Sequence, residues 1–217
     1  MAMIGVLGGT FDPVHFGHLR PALEIQQQLG LQQVRLIPCR NPPHRPPPQA
    51  TAAQRVAMLE AAIGRHPVFH IDTRELDRDG PSWTLDTLVS LRRELGGQGI
   101  CLLLGLDAFH GLSTWHRWHE LMDYCHMVVM TRPGSVLPAE GELADFIGLH
   151  RVLEAAALEQ HTCGLLLFHP VTQLEISGTG IRKQLAAGRD PGYLLPDSVI
   201  DIIYETGLYA TGNRHEG

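Results

Sequence analysis

The chain has 217 residues, of which 44% are apolar and 18% are charged, and its formal net charge at pH 7 is -6. This length and balance are typical of one globular domain covering residues 1–217, and the negative charge argues against nucleic acid as a partner, because a phosphate backbone requires a contiguous basic face. The sequence has no run of about 18 apolar residues and no visible secretory signal, so we expect a cytoplasmic protein with no membrane partner.

Short apolar runs recur along the chain, and each is followed by a segment with apolar residues at helical spacing. Runs that are apolar on both faces are typical of strands in a parallel sheet that helices cover on both sides. The predicted strands are residues 4–7, 34–38, 68–71, 100–104, 127–130 and 165–168. The predicted helices are residues 19–29, 52–63, 85–95, 118–124 and 143–158. This alternation predicts an α/β fold with right-handed crossovers.

Two glycines and two histidines follow the first predicted strand. Gly8 and Gly9 would let a ligand approach the backbone closely, and a helix that begins near Gly17 would offer its positive end to an anion. His15 and His18 can donate hydrogen bonds to phosphate oxygens and carry charge when protonated. The alternatives are a structural turn with a helix cap, or a metal pair without the H-E-x-x-H spacing. The combination favours a phosphate site, although neither ordinary nucleotide loop motif is present.

Three later segments interrupt the alternation. The proline-rich stretch 38–48 predicts an exposed loop, because proline lacks the donor that a helix or a central strand needs. Residues 134–161 are longer than a crossover requires and predict an extra peripheral helix. Residues 176–185 read as a strand end, a helix cap at Ser177 or Thr179, and the first turns of a helix.

The stretch GGTFDPVHFGH, residues 8–18, resembles the (T/H)-x-G-H signature of the nucleotidyltransferase superfamily. Its full length is similar to the corresponding motif of the nicotinate-nucleotide adenylyltransferases. ISGTGIR, residues 176–182, resembles the second signature of that family, I-S-x-T-x-I-R. The resemblance extends over almost the whole chain and is weakest in residues 134–161.

This resemblance implies a Rossmann-like, doubly wound parallel sheet with flanking helices and a C-terminal helical segment in about residues 172–217. It also implies adenylyl transfer from ATP to nicotinate mononucleotide, which gives deamido-NAD and pyrophosphate in NAD biosynthesis. The acceptor phosphate would attack the α-phosphorus directly, without a covalent enzyme intermediate. Mg²⁺ would arrive with ATP, since no carboxylate cluster indicates a protein-built metal site, and no tightly bound cofactor is expected.

The resemblance also implies roles for residues of the two signatures. His18 is expected at the α-phosphate, His15 and Arg182 at the β- and γ-phosphates, and Thr10 and His44 at positions that orient phosphates. Taken alone, Arg182 could instead be a surface arginine beside an ordinary helix cap, and His44 part of an exposed linker. The other substrate-binding residues expected in these motifs are Gly8, Gly9, Phe11, Ser177 and Thr179.

Further segments resemble the part of the family that binds the acceptor. Thr84, Trp115 and the backbone around His116 are expected to surround the pyridine ring, and Asp107 is expected to contact the nucleotide ribose. Core packing for Trp115 and a helix cap for Asp107 are the structural alternatives. Trp83 replaces the usual tyrosine. The segments concerned are residues 78–84, 105–107 and 113–118.

Other function classes remain to be separated from this one. A sister adenylyltransferase would act on nicotinamide mononucleotide or pantetheine phosphate, and a catalytically silent module would only bind a nucleotide. A class I aminoacyl-tRNA synthetase is disfavoured by the short, acidic chain. The cysteines are far apart and form no C-x-x-C pair, so no zinc or redox site is expected.

Overall fold

The computed structural model describes residues 2–42, 46–132, 134–172 and 174–210. The strands, named in chain order, are β1 (Met3–Gly9), β2 (Val34–Pro38), β3 (Phe69–Ile71), β4 (Gly99–Gly105), β5 (His126–Thr131), β6 (Arg151–Val152) and β7 (Leu166–Pro170). The α-helices are α1 (Phe16–Leu29), α2 (Ala52–Ile63), α3 (Thr84–Leu95), α4 (Leu106–His110), α5 (Glu142–His150), α6 (Gly178–Ala186) and α7 (Asp197–Thr206). Short 3-10 helices cover Leu112–Thr114, Trp118–Asp123 and Ala155–Gln160.

Within these residues the strands form one sheet in the order β3-β2-β1-β4-β5-β7-β6. Every neighbouring pair is parallel. From β1 the chain moves outward to β2 and β3, then returns to β4 on the other side of β1, so the direction of the strand order reverses between β1 and β4. The predicted doubly wound, Rossmann-like sheet is therefore confirmed, and such a reversal is where α/β sheets bind ligands.

The sheet has a hydrophobic core on each face. Because successive residues of a strand point to opposite faces, Ile4 and Val6 of β1 join one core while Met3 and Leu7 join the other. The core with Ile4 includes buried residues of α3, α4 and α5, and the core with Met3 includes those of α1, α2, α6 and α7. This burial on both faces explains why the strands read as continuous apolar runs.

Local signals set the ends of the first two helices. At the start of α2, the Thr51 hydroxyl accepts a hydrogen bond from the Gln54 amide at 3.2 Å, which satisfies one donor of the first turn. At the end of α1, Gly30 adopts φ +61°, a conformation that glycine reaches without a steric cost. Among the described residues, no helix is long and apolar enough to cross a membrane.

Two predicted helices are wrong in part. In the predicted helix 118–124, residues Trp118–Asp123 form a 3-10 helix rather than an α-helix. Residues 143–158 divide into α5, the short strand β6 and a 3-10 helix, because β6 pairs with β7 at the sheet edge. Leu149 and Leu153 are among the residues that gave this segment its helical apolar spacing, yet they are 78% and 77% exposed. Pairing with the sheet therefore overrode the local pattern, although α5 does supply the expected extra helix.

The segment 176–185 contains the predicted cap and helix but no strand end. The strand β7 ends at Pro170, and α6 begins at Gly178. Ser177 is the cap, and its hydroxyl accepts a hydrogen bond from the Gly180 amide at 3.1 Å. With α6 and α7 present, the predicted C-terminal helical segment is confirmed.

Candidate active site

A cleft lies at the carboxyl end of the sheet, where the strand order reverses. β1 ends at Gly9, and the loop after it leads into α1. β4 ends at Gly105, and α4 follows it directly. The amide groups of the first helical turn have no partner within the helix, so this edge of the sheet offers donors to an anionic ligand.

The first cavity in this cleft has a volume of about 620 Å³ and is called the histidine cavity. It joins the loop after β1, the end of the proline-rich loop and the start of α6. Its lining residues are Gly9, Thr10, Phe11, Asp12, Pro13, His15, Gly17, His18, Pro46, Pro47, Pro48, Gln49, Ile176, Ser177, Gly178, Thr179 and Arg182. The two motifs that the sequence singled out, more than 150 residues apart, therefore face the same space.

The rings of His15 and His18 are in contact at the entrance to α1, with centroids 3.7 Å apart and planes tilted by 30°. The backbone amide of His15 donates to Nδ1 of His18 at 3.3 Å, so neutral His18 carries its proton on Nε2. In His15 the Nδ1 atom is buried and has no hydrogen-bond partner in the described part of the chain. Nε2 is thus the nitrogen from which neutral His18 donates.

Burial also fixes the charge of one histidine. The side chain of His15 is only 4% exposed, and burial lowers its pKa from 6.5 to about 4. In the free protein at pH 7, His15 is therefore neutral and can donate a hydrogen bond without bringing a charge. The sequence alone had allowed a protonated ring at this position.

The buried His15 should make stability depend on pH. Because its pKa is depressed in the folded state, the unfolded chain takes up a proton first as the pH falls below 6.5, and the folded form loses stability until the pH reaches about 4. The free energy of unfolding should fall by about 3 kcal/mol across this window on account of His15. Urea unfolding of the wild type and of His15→Gln at several pH values measures this. Parallel pH profiles for the two proteins would contradict it.

Two arginines hold the loop after β1 by its carbonyl oxygens. Arg55, which is buried in α2, donates from Nη1 to the carbonyl of Thr10 at 2.8 Å. Arg182 of α6 donates from Nη1 to the carbonyl of Asp12 at 2.6 Å and from Nη2 to the Thr179 hydroxyl at 3.2 Å. These bonds fix the guanidinium of Arg182 at the cavity wall and place two positive charges around the loop.

Close packing explains two of the glycines in these motifs. A Cβ atom on Gly9 would lie 3.0 Å from the ring of Phe11, whose side chain is buried in the core. A Cβ atom on Gly178 would lie 3.0 Å from the carbonyl oxygen of Asp12. Gly9 therefore makes room for Phe11, and Gly178 allows α6 to approach the loop after β1.

A second cavity, of about 320 Å³, opens beside the first and shares Gly9 and Thr10 with it. We call it the tryptophan cavity. Thr84, the first residue of α3, and the half-buried Trp115 line it, and the rings of Trp83 and His116 stack at its wall with centroids 4.7 Å apart. The lining residues are Gly9, Thr10, Cys39, Pro42, Ser82, Trp83, Thr84, Asp107, Ala108, Gly111, Thr114, Trp115 and His116.

A smaller inner cavity of about 120 Å³ continues behind Trp115 and Thr84. Gly8 and Gly9 both line this inner space, and of the two only Gly9 also lines the histidine cavity. The contact of Gly8 with a substrate stays a prediction. The carboxyl group of Glu75 also lines this space, and burial raises its pKa, while the Thr87 hydroxyl donates to it at 2.6 Å.

A fourth cavity, of about 380 Å³, lies on the other side of Asp107 and is called the side cavity. Asp107 lines both this cavity and the tryptophan cavity, and Ser177 lines both this cavity and the histidine cavity. Arg132 at its wall pairs with Glu175 at a distance of 3.2 Å. The histidine, tryptophan and side cavities share lining residues and together form a continuous path along the carboxyl end of the sheet.

The structure brings most of the predicted residues to this path. The histidine cavity contains Gly9, Thr10, Phe11, His15, His18, Ser177, Thr179 and Arg182. The tryptophan cavity contains Thr84, Asp107, Trp115 and His116. His44 lies outside the described residues. No role was predicted for Asp12, Arg55 or Arg132, although Asp12 lies inside the first motif and Arg132 begins a segment that resembles the family.

The chain is similar to known proteins over almost its whole length. The cytidylyltransferase-like family matches residues 6–184 of the chain. The protein named "Probable nicotinate-nucleotide adenylyltransferase" from Aeromonas hydrophila is 48% identical over 206 residues, which cover 95% of this chain and 96% of that protein. The protein of the same name from Methylococcus capsulatus is 47% identical over 209 residues, which cover 96% of this chain and 100% of that protein.

A solved structure has the same fold. Plasmodium falciparum nicotinic acid mononucleotide adenylyltransferase, complexed with NaAD, superimposes with a TM-score of 0.72 over 96% of this chain and 98% of that chain, at 16% sequence identity. The fold alone follows from that similarity, whereas the relatives near 48% identity over almost their full length identify the family. This chain belongs to the nicotinate-nucleotide adenylyltransferase family.

Proposed function

We propose that this protein transfers the adenylyl group of ATP to nicotinate mononucleotide and releases pyrophosphate, forming deamido-NAD. The observation that carries the proposal is the junction of two cavities at Gly9 and Thr10. The histidine cavity offers the donors His15, His18 and Arg182 to phosphates, and the tryptophan cavity offers an aromatic wall to a flat ring. A phosphate attached to that ring would meet the phosphates of ATP at the junction.

The donors of the histidine cavity suit a displacement at phosphorus. The α-phosphate would receive a hydrogen bond from Nε2 of His18, whose direction is fixed because Nδ1 is already bound. Arg182 would hold the departing pyrophosphate together with neutral His15, and the Ser177 and Thr179 hydroxyls would lie at the same wall. Such a reaction depends mainly on positioning and on stabilising charge spread over the phosphate oxygens, so no covalent intermediate is needed.

The tryptophan cavity suits the pyridine ring of the acceptor. The Trp115 face can stack on a pyridinium ring. Thr84 lies in the first turn of α3, where backbone amides point away from the helix toward the cavity edge, and with the backbone around His116 it would receive the acceptor carboxylate. The Trp83 ring, stacked on His116, would support this wall.

The side cavity suits the adenosine part of ATP. It adjoins the histidine cavity at Ser177, so a nucleoside there would continue directly from the phosphates. Asp107 lies between this cavity and the tryptophan cavity and would bind a ribose hydroxyl through its carboxylate, which accepts hydrogen bonds.

Mg²⁺ would reach this site bound to the ATP phosphates. In the parts of the chain that the structure describes, no group of three or more histidine, cysteine, aspartate or glutamate side chains is arranged to hold a metal. A Mg²⁺ ion that keeps several waters and binds mainly to substrate phosphates does not need such a cage. When bound, the ion would neutralise phosphate charge, and the residues above would do the positioning.

A pyrophosphate-release assay tests the proposed function. Purified protein is supplied with MgATP and, in separate reactions, with nicotinate mononucleotide, nicotinamide mononucleotide or phosphopantetheine. We expect rapid release with the first acceptor and formation of deamido-NAD in equal amount. Faster turnover of either other acceptor would assign the chain to a sister activity, and ATP binding without turnover of any acceptor would indicate a silent nucleotide-binding module.

Acceptor choice should favour nicotinate over nicotinamide mononucleotide by about tenfold to a hundredfold in kcat/KM. Backbone amides match a carboxylate, which only accepts hydrogen bonds, whereas the NH2 of a carboxamide would place donor against donor. Steady-state kinetics with both mononucleotides at fixed MgATP measure the ratio. Equal values would contradict the carboxylate site. Trp115→Ala serves as a companion variant, since it should weaken both acceptors through lost stacking while it keeps much of the preference.

A further inference from the structure

The last described turn of the chain reaches back to the loop after β1. The hydroxyl of Tyr209 donates to Oδ1 of Asp12 at 2.6 Å, across 197 residues of sequence. Both side chains are buried, at 9% and 5% exposure. Burial and the hydrogen bond to Asp12 raise the pKa of Tyr209, so the phenol keeps its proton and remains a donor at neutral pH. Tyr209 lies outside both sequence motifs, whereas Asp12 lies inside the first.

Asp12 uses its carboxylate to join three segments around the histidine cavity. Its Oδ2 accepts a hydrogen bond from the backbone amide of Gln49 at 2.9 Å. Its Oδ1 accepts one from the backbone amide of Ala50 at 3.0 Å and another from the Tyr209 hydroxyl. These amides lie where the proline-rich loop enters α2. The carboxylate thus connects the loop after β1, the end of the proline-rich loop and the C-terminal turn.

Arg182 lies beside the same carboxylate without a hydrogen bond to it. Its Nη1 donates to the Asp12 carbonyl at 2.6 Å, whereas the distance from Nη1 to Oδ2 is 3.6 Å. A carboxylate that already accepts three hydrogen bonds from other donors competes less for the guanidinium. If one of those donors were removed, the attraction between the two charges would draw Arg182 toward Asp12.

The backbone on both sides of this contact adopts a conformation that is uncommon for residues with a side chain. Tyr209 has φ +63°, and Phe11, which precedes Asp12, has φ +49°. Such conformations persist only where surrounding contacts hold them in place, and they cluster at functional sites. The Tyr209 hydroxyl bond connects these two segments directly.

We propose that Tyr209 is a positioning residue for the phosphate site, which keeps the Asp12 carboxylate satisfied so that the guanidinium of Arg182 remains available to pyrophosphate. The proposal rests on the proposed function in assigning Arg182 to the pyrophosphate portion of ATP. Tyr209 does not line the histidine cavity, so it acts through Asp12 and Arg182 rather than by touching the phosphates.

The test compares Tyr209→Phe, which loses one hydroxyl and keeps the ring, with Tyr204→Phe as a matched control. Tyr204 lies on α7 and is 60% exposed, and it is absent from the lining of the cavities described above. Calorimetry measures binding of pyrophosphate alone and of nicotinate mononucleotide alone, and kinetics give kcat/KM for MgATP at saturating acceptor. Tyr209→Phe should weaken pyrophosphate binding and lower kcat/KM for ATP by about tenfold, with acceptor binding unchanged. Tyr204→Phe should behave as the wild type.

A double-mutant cycle separates positioning from a merely structural role. In an Arg182→Gln background the loss of the Tyr209 hydroxyl should no longer affect pyrophosphate binding, because the guanidinium through which it acts is gone. A lower melting temperature of Tyr209→Phe with unchanged pyrophosphate binding would overturn the proposal, and so would an equal loss in both backgrounds. If Tyr209→Phe does not fold, Asp12→Asn is measured instead: it removes the charge that would draw Arg182 inward, so pyrophosphate binding should be retained, and a loss of binding as large as that of Arg182→Gln would overturn the proposal. A wild type that binds pyrophosphate but turns over no acceptor would contradict the proposed function, while the binding comparison would still decide the role of Tyr209.

Discussion

His18→Ala should lower kcat by about 100-fold to 1,000-fold while the protein stays folded, because it removes a preorganised donor from the phosphorus centre. The His18 ring is anchored by the amide of His15 on Nδ1, so its Nε2 proton has a fixed direction before substrate arrives. A donor that needs no reorganisation during the reaction contributes more to the transition state than to binding. We therefore expect the loss in kcat rather than in KM.

Steady-state kinetics, circular dichroism and thermal unfolding of the purified variant check this expectation. His70→Ala is the matched control, since His70 is an exposed histidine of β3. That strand lies at the edge of the sheet and is separated from β4 by β2 and β1. Near-normal turnover by His18→Ala would remove His18 from the proposed mechanism. Loss of turnover together with loss of the folded state would indicate that the ring pair of His15 and His18 stabilises the entrance to α1 instead.

Arg182→Ala should lower kcat/KM for ATP by about a hundredfold and slow the reverse reaction from deamido-NAD and pyrophosphate by a similar factor. The guanidinium is fixed by the Asp12 carbonyl and the Thr179 hydroxyl, so its charge faces the histidine cavity in both directions of the reaction. Forward and reverse reactions pass through one transition state, and a group that stabilises pyrophosphate there must affect both.

Pyrophosphate-exchange assays in both directions measure this effect, and calorimetry should find acceptor binding unchanged. Arg189→Ala, which removes an exposed arginine just beyond α6, controls for the general loss of positive charge. Arg182→Lys should recover part of the activity, since it restores the charge but not the paired geometry of the guanidinium. Unaltered pyrophosphorolysis in Arg182→Ala would show that the pyrophosphate binds elsewhere.

The bounds of a strand or helix were predictable where its buried residues recur at the spacing typical of that element. The strand at residues 34–38 and the helix at residues 52–63 have the predicted bounds, because each buries apolar residues at the spacing of a strand or a helix. The division of residues 143–158 was not predictable in this way. Two residues of β6 pair with β7, and that pairing depends on where the rest of the sheet lies.

Residue types and their order indicate the chemistry at the carboxyl end of the sheet. Glycines and paired histidines after a strand are chemically suited to phosphate, and a parallel sheet places the ends of β1 and β4 at one edge. The first motif could be assigned to a phosphate site on this ground, whereas the second was assigned to it only through its resemblance to the family signature. The structure brings His15, His18 and Arg182 to one cavity.

The orientation and charge of those groups depend on the tertiary structure. Gly8 lines the inner cavity and not the histidine cavity, and burial makes His15 neutral at pH 7. The contact between Tyr209 and Asp12 joins residues 197 positions apart and follows no local pattern. Local periodicity indicates which face of an element is apolar. A pKa or a hydrogen-bond partner depends on every segment that the fold brings close, and those segments are distributed over the whole chain.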